Sequence, residues 1–383
     1  MAFLSTRAPI LQTERTYGEK EDTRPRTRCG YLVPEAYHCY EQSLGETGAI
    51  ASGKLLHYTA DLICSGGLDL WIRGAYSYCI QHIGLANPRI FVYLRQRISD
   101  VDKKAEVLPQ ESFYSHPDVQ SAIAECVLVM QLCPRRAKVP WPKLGEDTKR
   151  DGWLRGVANS PETRAVRAVW SSDGDMPPLY LVGNELCRAI QEGRTEQSLF
   201  WVKWLLEEDA RIRKETKGHG LSTKERGVGV GSSKSRTDAS YFVGELLVEV
   251  YKEFSSKGMI RMGEEFAELY RLFRGGESRM AARGRRECLG WMVLLCCEVP
   301  RWKVPAAPTL VEDPMRLSRA VSQSSAFFRE VLSNPALPVT SQIKASMARV
   351  AKEKKKKGTK PCETVEEHFA AYDEALNAYL SRK

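Results

Sequence analysis

The sequence lacks any long apolar run. The longest extends from Cys288 to Val299, is interrupted by Glu298 and is ended by Pro300. A helix that spans a bilayer needs roughly 20 apolar residues. The first twelve residues also lack the apolar core of a secretory signal peptide. We therefore expect no membrane span, no signal peptide, and a reducing compartment in which cysteines remain thiols.

The 11 cysteines lack the paired spacing that zinc domains use. Cys29, His38 and Cys39 could combine with Cys79 and His82, which lie three residues apart on one helix face. That is a single tight pair, where structural zinc sites show two. The pattern favours cysteines as small buried side chains, and we predict no metal and no other cofactor.

Nucleophile and phosphate motifs are missing as well. No cysteine stands in a glycine-flanked turn of the kind that presents a catalytic nucleophile. The glycine-rich run 227–231 lacks the trailing Gly-Lys-Ser/Thr of a phosphate loop. We predict that the protein is not an enzyme. A cysteine- or zinc-dependent enzyme stays open as the least favoured alternative, because catalytic partners need not be adjacent in sequence.

What the sequence does hold is helical periodicity. Hydrophobic residues make up 43% and charged residues 27% of the chain, as in ordinary globular proteins. Apolar residues recur at three- and four-residue steps, for example at Ile90, Leu94 and Ile98. No alternating run is long enough to predict a strand. We predict an all-α fold, a multi-helix globular body with an extended N-terminal arm and a C-terminal tail helix.

Composition divides the chain into five parts. The first lacks helical periodicity, the third is rich in glycine, serine and basic residues, and the last is strongly basic. The parts are an extended N-terminal arm (1–48), an N-terminal helical part (49–214), a flexible basic Gly/Ser loop (215–238), a C-terminal helical part (239–334), and a basic linker with a terminal hook helix (335–383).

The most informative helix follows Gly193. Leu199, Val202 and Leu206 line one face, while Trp201 and Trp204 line another. A helix that is apolar on several sides is usually buried from several directions. We therefore expect this helix to be the central one of the body, and Trp201 and Trp204 to organise the core.

The net charge of +9 is unevenly distributed. Eight basic residues and one acid lie between Lys344 and Lys360, which gives that segment a net charge of +7. Its centre is the run Lys354, Lys355, Lys356 and Lys357. Lysine is a point charge that neutralises phosphate without reading bases. We keep weak nucleic-acid contact through this basic tail as an alternative. Six basic residues in and beside the loop could add to this nucleic-acid contact, namely Lys214, Lys217, Lys224, Arg226, Lys234 and Arg236.

The last segment predicts a helix from 364 to 380. Thr364 and Glu367 form a capping box, in which each side chain satisfies a backbone donor of the first turn. Its apolar residues follow steps of four, three, four and three, which is a heptad seam. The seam consists of Val365, Phe369, Tyr372, Leu376 and Tyr379. We predict that Phe369, Tyr372, Leu376 and Tyr379 bind a partner.

Several phrases of the chain resemble a family of helical proteins of nucleocytoplasmic large DNA viruses with icosahedral particles. The matching pieces are Asn87-Pro88-Arg89-Ile90 with the helix into Arg95 and Arg97, the helix 120–133, Asn184-Glu185, the phrase 198–204 with its two tryptophans, and the helix 241–254. The chain departs from the family at Lys203, where an acid is usual, and at Tyr241 and Phe242, where a second tryptophan motif is usual.

The resemblance implies a minor capsid protein that links neighbouring capsid subunits beneath the shell. The partners would then be the major capsid protein and other minor capsid proteins. The location would be the virion, assembled in the host cytoplasm. The matching phrases carry no catalytic residues, and they cover roughly the span from Ile50 to Asn334.

Overall fold

The structure is a computed structural model, and it describes residues 25–136, 138–149, 152–227, 236–259, 263–276, 280, 282–298 and 310–335. These residues form helices, short helical turns and irregular connections. The only extended pairings in this part of the chain are isolated bridges, Arg26 with Leu32 and Asp175 with Ser222. The all-α prediction is confirmed.

The α-helices take up most of the described chain. In order they are α1 (Val33–Gly45), α2 (Ala49–Cys64), α3 (Leu68–Tyr78), α4 (Arg89–Val107), α5 (Gln110–Ser115), α6 (Pro117–Leu132), α7 (Trp153–Val157), α8 (Arg164–Val169), α9 (Pro177–Gln191), α10 (Thr195–Thr216), α11 (Ala239–Ser256), α12 (Gly263–Phe273), α13 (Ala282–Glu298), α14 (Pro314–Ser322) and α15 (Ser324–Ser333). A π-helical turn (Cys79–Ile83) and 3-10 turns (Gly84–Ala86, Glu146–Lys149) lie between them.

The most enclosed helix is α13 and not α10. Every residue of α13 from Cys288 to Cys297 is buried, and the helix packs against α9, α10, α11 and α12. Helix α10 keeps an exposed face with Glu196 and Glu207. The prediction of α10 as the central helix is therefore wrong. The central helix is α13, which contains the apolar run that begins at Cys288.

A close contact on α13 shows how tightly this core is filled. The indole of Trp291 is fully buried, and its Nε1 donates to the carbonyl of Ile80 at 2.9 Å. The ring lies against Gly84, whose φ is +48°. A Cβ on Gly84 would stand 2.2 Å from the ring. Glycine is required here by both the backbone conformation and the close approach.

The C-terminal helices pack back onto the N-terminal ones. Helices α14 and α15 lie against α6, and α15 also contacts α2, which pairs with α1. Helix α12 lies against α4. The part predicted at 239–334 thus shares one hydrophobic core with the part predicted at 49–214.

Several boundaries differ from the predictions. The arm predicted as extended over 1–48 contains α1, which begins with Pro34 in its first turn and buries Tyr37, Tyr40 and Leu44. The end of the part predicted at 239–334 holds two helices, α14 and α15, which meet at Gln323. Residues 1–24 and the basic linker and hook helix, which fall in 336–383, lie outside the described residues.

Within the part that the structure describes, every helix is too short or too polar to cross a membrane.

Candidate functional site

Both ends of the described chain meet at one place, which we call the terminal anchor. It consists of Arg28, Cys29, Asp61, Ser65, Glu111 and Asn334. The amide of Arg28 donates to Ser65 Oγ at 2.9 Å, and the amide of Cys29 donates to Asp61 Oδ1 at 3.0 Å. Asn334 Nδ2 lies 3.6 Å from Cys29 Sγ. Two residues near opposite ends of the described chain therefore lie beside each other.

The terminal anchor is partly buried and charged. The Arg28 side chain is 6% exposed, and its guanidinium reaches Glu111 on α5 at 3.1 Å. Burial, together with the charges of Asp61 and Glu330, raises the pKa of the Cys29 thiol. Cys29 is therefore protonated at neutral pH, which disfavours it as a nucleophile.

A second feature is the connection 134–163, which crosses α10 and α13 and which we call the strap. At its start, the Arg136 guanidinium pairs with Glu298 of α13 at 2.5 Å. Trp141 Nε1 donates to Glu287 Oε2 at 2.8 Å. Val139 of the strap packs closely against α13 at Gly290, where an added Cβ would stand 2.6 Å from Val139 Cγ1.

Helix α10 holds the middle of the strap. Lys203 Nζ donates to the carbonyl of Pro142 at 2.8 Å, and Trp204 Nε1 donates to the carbonyl of Thr148 at 3.2 Å. Lys203 thus has a structural role in this chain.

Helix α9 holds the end of the strap. Glu185 Oε1 accepts from the amides of Asn159 and Ser160, both at 2.7 Å. Asn184 Oδ1 accepts from the amide of Thr163 at 2.7 Å. The Asn184-Glu185 phrase therefore caps irregular backbone, which explains two adjacent polar side chains in an apolar helix.

The two predicted core tryptophans form an aromatic cluster under the strap. Trp201 and Trp204 are 4% and 6% exposed. The ring of Trp153 in α7 lies 6.0 Å from that of Trp201 and 5.9 Å from that of Trp204, and Phe200 lies beside it. The cluster joins α10 to the strap and belongs to the hydrophobic core.

A third feature is the segment 217–227, which follows α10. Its Arg226 is 2% exposed and pairs with Asp175, whose side chain is fully buried, at 2.5 Å. The remaining donors of Arg226 reach Glu245 at 3.0 Å, Ser222 at 2.9 Å and the carbonyl of Val169 at 3.1 Å. All five N–H groups of this guanidinium are thus satisfied, as a buried charge requires.

The surroundings set the charge of Asp175. Burial alone would raise the pKa of its carboxyl, but hydrogen bonds from Arg226 and Ser222 outweigh burial and leave the pKa lowered. The carboxylate form is therefore the one that the fold stabilises.

The loop predicted as flexible and basic over 215–238 is packed in part: residues 220–222, 226 and 227 are buried, whereas 215–217 and 223–225 are exposed. Leu221, Ser222 and Arg226 are buried. Arg236 pairs with Glu225 at 3.3 Å, and Arg213 of α10 donates to the carbonyl of Thr237 at 2.7 Å. The prediction that Arg226 is free to neutralise phosphates is wrong, because its charge is used inside the body.

The phrase around Arg89, Arg95 and Arg97 ties helices together. Arg95 reaches the buried Glu268 of α12 at 3.4 Å, and Arg97 reaches Glu125 of α6 at 3.1 Å. Arg89 lies 3.6 Å from Glu265, also on α12. These three arginines thus join α4 to α6 and α12.

The structure does not bring the candidate zinc ligands together. In the described residues no group of three histidine, cysteine or acidic side chains is arranged to hold a metal ion, and the described cysteines are free thiols. Burial raises the pKa of Cys126 and Cys133 to about 12. Burial also raises the pKa of Cys79 well above its usual value. These thiols remain protonated and behave as small apolar side chains.

Sequence reasoning missed the polar residues that fix the connections. Asp175, Arg226, Arg28 and Glu111 belong to no motif, and their partners lie 51 and 83 residues away. The partner-binding residues Phe369, Tyr372, Leu376 and Tyr379 and the basic tail Lys354–Lys357 lie outside the described residues. Comparisons of the chain with protein-family models, curated proteins and solved structures gave no match.

Proposed function

We propose that the protein is a structural component of a large icosahedral DNA virus particle, a minor capsid protein that links neighbouring capsid subunits. The observation that supports this proposal best is the terminal anchor. Cys29 and Asn334, which lie near the two ends of the described chain, contact each other, and the predicted partner-binding helix follows Asn334 in sequence. A packed body with two tethers rooted at one point is suited to linking subunits.

The internal use of charge supports a scaffold role. Charged side chains that reach the interior serve the fold: Arg226 with Asp175 and Arg28 with Glu111 fix connections, and Arg95 with Glu268 joins two helices. A body held by such fixed pairs keeps its shape while its ends engage partners. Shape retention matters for a linker because the spacing of the linked subunits follows from it.

The particle itself provides the test. Gradient-purified particles, analysed by quantitative mass spectrometry, should contain this protein in a fixed ratio to the major capsid protein. A replication or nucleic-acid enzyme would be present in few copies or none. Loss of the protein from the particle fraction during purification would contradict the proposal.

The hook helix gives a second test. Phe369→Asp combined with Leu376→Asp places two charges in the predicted seam. We expect the free protein to keep its melting temperature while its recruitment to particles fails, because the helix is predicted to pack on a neighbour. A large loss of stability in the free protein would show that the helix belongs to the body. Replacing Lys354–Lys357 by glutamine leaves the seam intact and tests the nucleic-acid alternative through binding to DNA at defined salt.

A further inference from the structure

Two cations at the start of the strap have no carboxylate partner among the residues that the structure describes. Arg135 and Lys138 are both exposed, and no acid of the described chain lies within ion-pair distance of them. Other exposed arginines of the body differ in this respect. Arg95, for example, reaches the carboxylate of Glu268. The start of the strap therefore presents uncompensated positive charge to the solvent.

His82 lies beside these two cations. Its carbonyl accepts from the amide of Arg136 at 2.8 Å, which joins the π-helical turn to the strap. Its imidazole is accessible from outside, and the ring lies 4.8 Å from that of Tyr78. Partial burial, and then the charges of Lys138 and Arg135, lower the pKa of His82. The electric field of both cations thus reaches the imidazole.

Carbonyl oxygens hold the guanidinium of Arg135 in place. Its Nη1 donates to Gly45 at 2.7 Å, and its Nη2 donates to Leu44 at 2.9 Å and to Gln131 at 3.2 Å. The hydroxyl of Tyr78 donates to the same oxygen of Leu44 at 2.8 Å. The guanidinium and the ring beside the imidazole are therefore fixed at a common point. All of these acceptors are neutral, so they orient the guanidinium without cancelling its charge.

The acids on the adjoining elements are bound to other cations. Glu298 accepts from Nη1 and Nη2 of Arg136 at 2.8 and 2.5 Å. Glu46, which follows the carbonyls that Arg135 binds, lies 3.9 Å from the ammonium of Lys54. Like charges that face one another disfavour the charged forms. An anion bound between the cations would remove this repulsion.

We propose that His82, Arg135 and Lys138, which we call the cation cluster, bind a phosphate group. The ammonium, the guanidinium and the charged imidazole are all donors, and phosphate oxygens accept such charge-assisted hydrogen bonds. A free phosphate ion and the backbone of a nucleic acid share this chemistry, and the experiment below separates them. The cation cluster lies on the helical body, so this inference is independent of the basic tail and of the proposed capsid function.

Binding should depend on pH through His82. The charged imidazole adds a third cation, so the affinity for an anion should rise as the pH falls through the lowered pKa of His82. A bound anion should in turn raise that pKa, because an opposite charge favours the charged form. Sulfate is a suitable probe, since it keeps both negative charges in this range, whereas phosphate gains a proton there.

The test follows the imidazole of His82 by NMR in the full-length protein. His82→Gln identifies the signal by its loss, and sodium chloride at the same ionic strength controls for screening. We expect sulfate to raise the pKa of His82 more than chloride does. Lys138→Gln should weaken sulfate binding by about tenfold, because it removes one charge-assisted contact. Lys224→Gln is the matched control, since Lys224 is also exposed and has no carboxylate partner in the described chain.

A single-stranded oligonucleotide identifies the source of the phosphate. Its binding is measured in a chain whose Lys354–Lys357 are replaced by glutamine, so that the basic tail does not contribute. If Lys138→Gln weakens this binding and Lys224→Gln does not, the cation cluster binds the backbone of a nucleic acid. If sulfate binding depends on Lys138 and oligonucleotide binding does not, the cation cluster binds a free anion.

Two results would overturn the inference. One is a change in the pKa of His82 that is as large with chloride as with sulfate, which would reduce the effect to screening. The other is equal affinity of Lys138→Gln and Lys224→Gln for sulfate, which would show that the cation cluster is not the binding site. Both substitutions replace exposed side chains, so the variants should melt like the wild type and the comparison of affinities stays valid.

Discussion

The strap and the segment 217–227 both cross the surface of the helical body, but they are fixed in opposite ways. The segment is fixed mainly through one buried side chain, Arg226, which pairs with Asp175 and Glu245, while backbone hydrogen bonds of Leu221 and Thr223 hold its first half. The strap is fixed at many points by separate side chains of α9, α10 and α13, among them Glu185, Trp204 and Glu287. The first arrangement concentrates its side-chain contacts on one buried guanidinium, and the second distributes them. A single substitution should therefore release the segment and only loosen the strap.

The largest effect is expected from Asp175→Ala. It leaves the Arg226 guanidinium buried without its carboxylate, and breaking a buried pair costs about 3–5 kcal/mol of unfolding free energy. Urea unfolding measures the loss. Asp173→Ala is the matched control, because Asp173 is exposed two residues away and should change little.

A double substitution sharpens this prediction. Asp175→Ala with Arg226→Met removes both charges and should lose less free energy than Asp175→Ala alone. If the single substitution cost no more than the control, the ion pair would not be what fixes the segment.

Trp204→Ala should come next, at the lower end of about 3–5 kcal/mol for a truncated large aromatic. It removes a buried ring from the aromatic cluster and the hydrogen bond to Thr148. Trp204→Phe keeps a ring in place and should cost less. A shift in melting temperature of less than a couple of degrees for Trp204→Ala would mean that the strap does not depend on this cluster.

Gly290→Ala tests the strap from the side of α13. The added Cβ would meet Val139 at 2.6 Å and Trp141 at 2.8 Å, and overpacking of this kind costs about 1–3 kcal/mol. Gly284→Ala, on the same helix, is the control. Its nearest neighbour would be Met280 Cγ at 3.6 Å, so Gly284→Ala should be neutral or stabilising by the helix propensity of alanine. Equal changes in unfolding free energy for Gly290→Ala and Gly284→Ala would show that the strap moves away from the added Cβ without cost.

The smallest effect concerns pH. The lowered pKa of Asp175 means that the folded state holds the carboxylate more strongly than the unfolded state, whose pKa is near the usual 3.8. The stability from this pair is fully present above that value and is lost as the pH falls through the lowered pKa. The free-energy gap between the wild type and Asp175→Asn should therefore narrow in acid, by about 1.4 kcal/mol per pH unit within that window. A gap that stays constant would contradict the assigned charge state.

Periodicity predicted most of the helices because their apolar steps are local. Helix α11 is an example: Val243, Leu246, Leu247 and Val250 are buried as their spacing predicts. Helix α1 was missed although Tyr37, Tyr40 and Leu44 share a face, because the prolines and arginines around them are typical of extended chain.

The connections could not be predicted in the same way. Arg136 and Glu298 are 162 residues apart, and Arg226 and Asp175 are 51 apart. Glycine, serine and basic residues predict a solvated loop unless a distant acid is known to lie beside them. The central position of α13 could not be predicted for a related reason. It depends on packing against α9, α10, α11 and α12, and sequence periodicity does not show which helices meet.

The terminal anchor has a mechanical consequence. Under the proposed function, tension applied through the two ends of the chain would enter and leave the body at neighbouring points, where Cys29 contacts Asn334. The force path is then short and crosses the contacts of Arg28 and Cys29 with α2, α5 and the end of α15. Most of the body, including the α13 core, lies away from these contacts and would carry little of that load. Strain on the link would thus be resisted by a few polar contacts at the root of the tethers, and the interior would be spared.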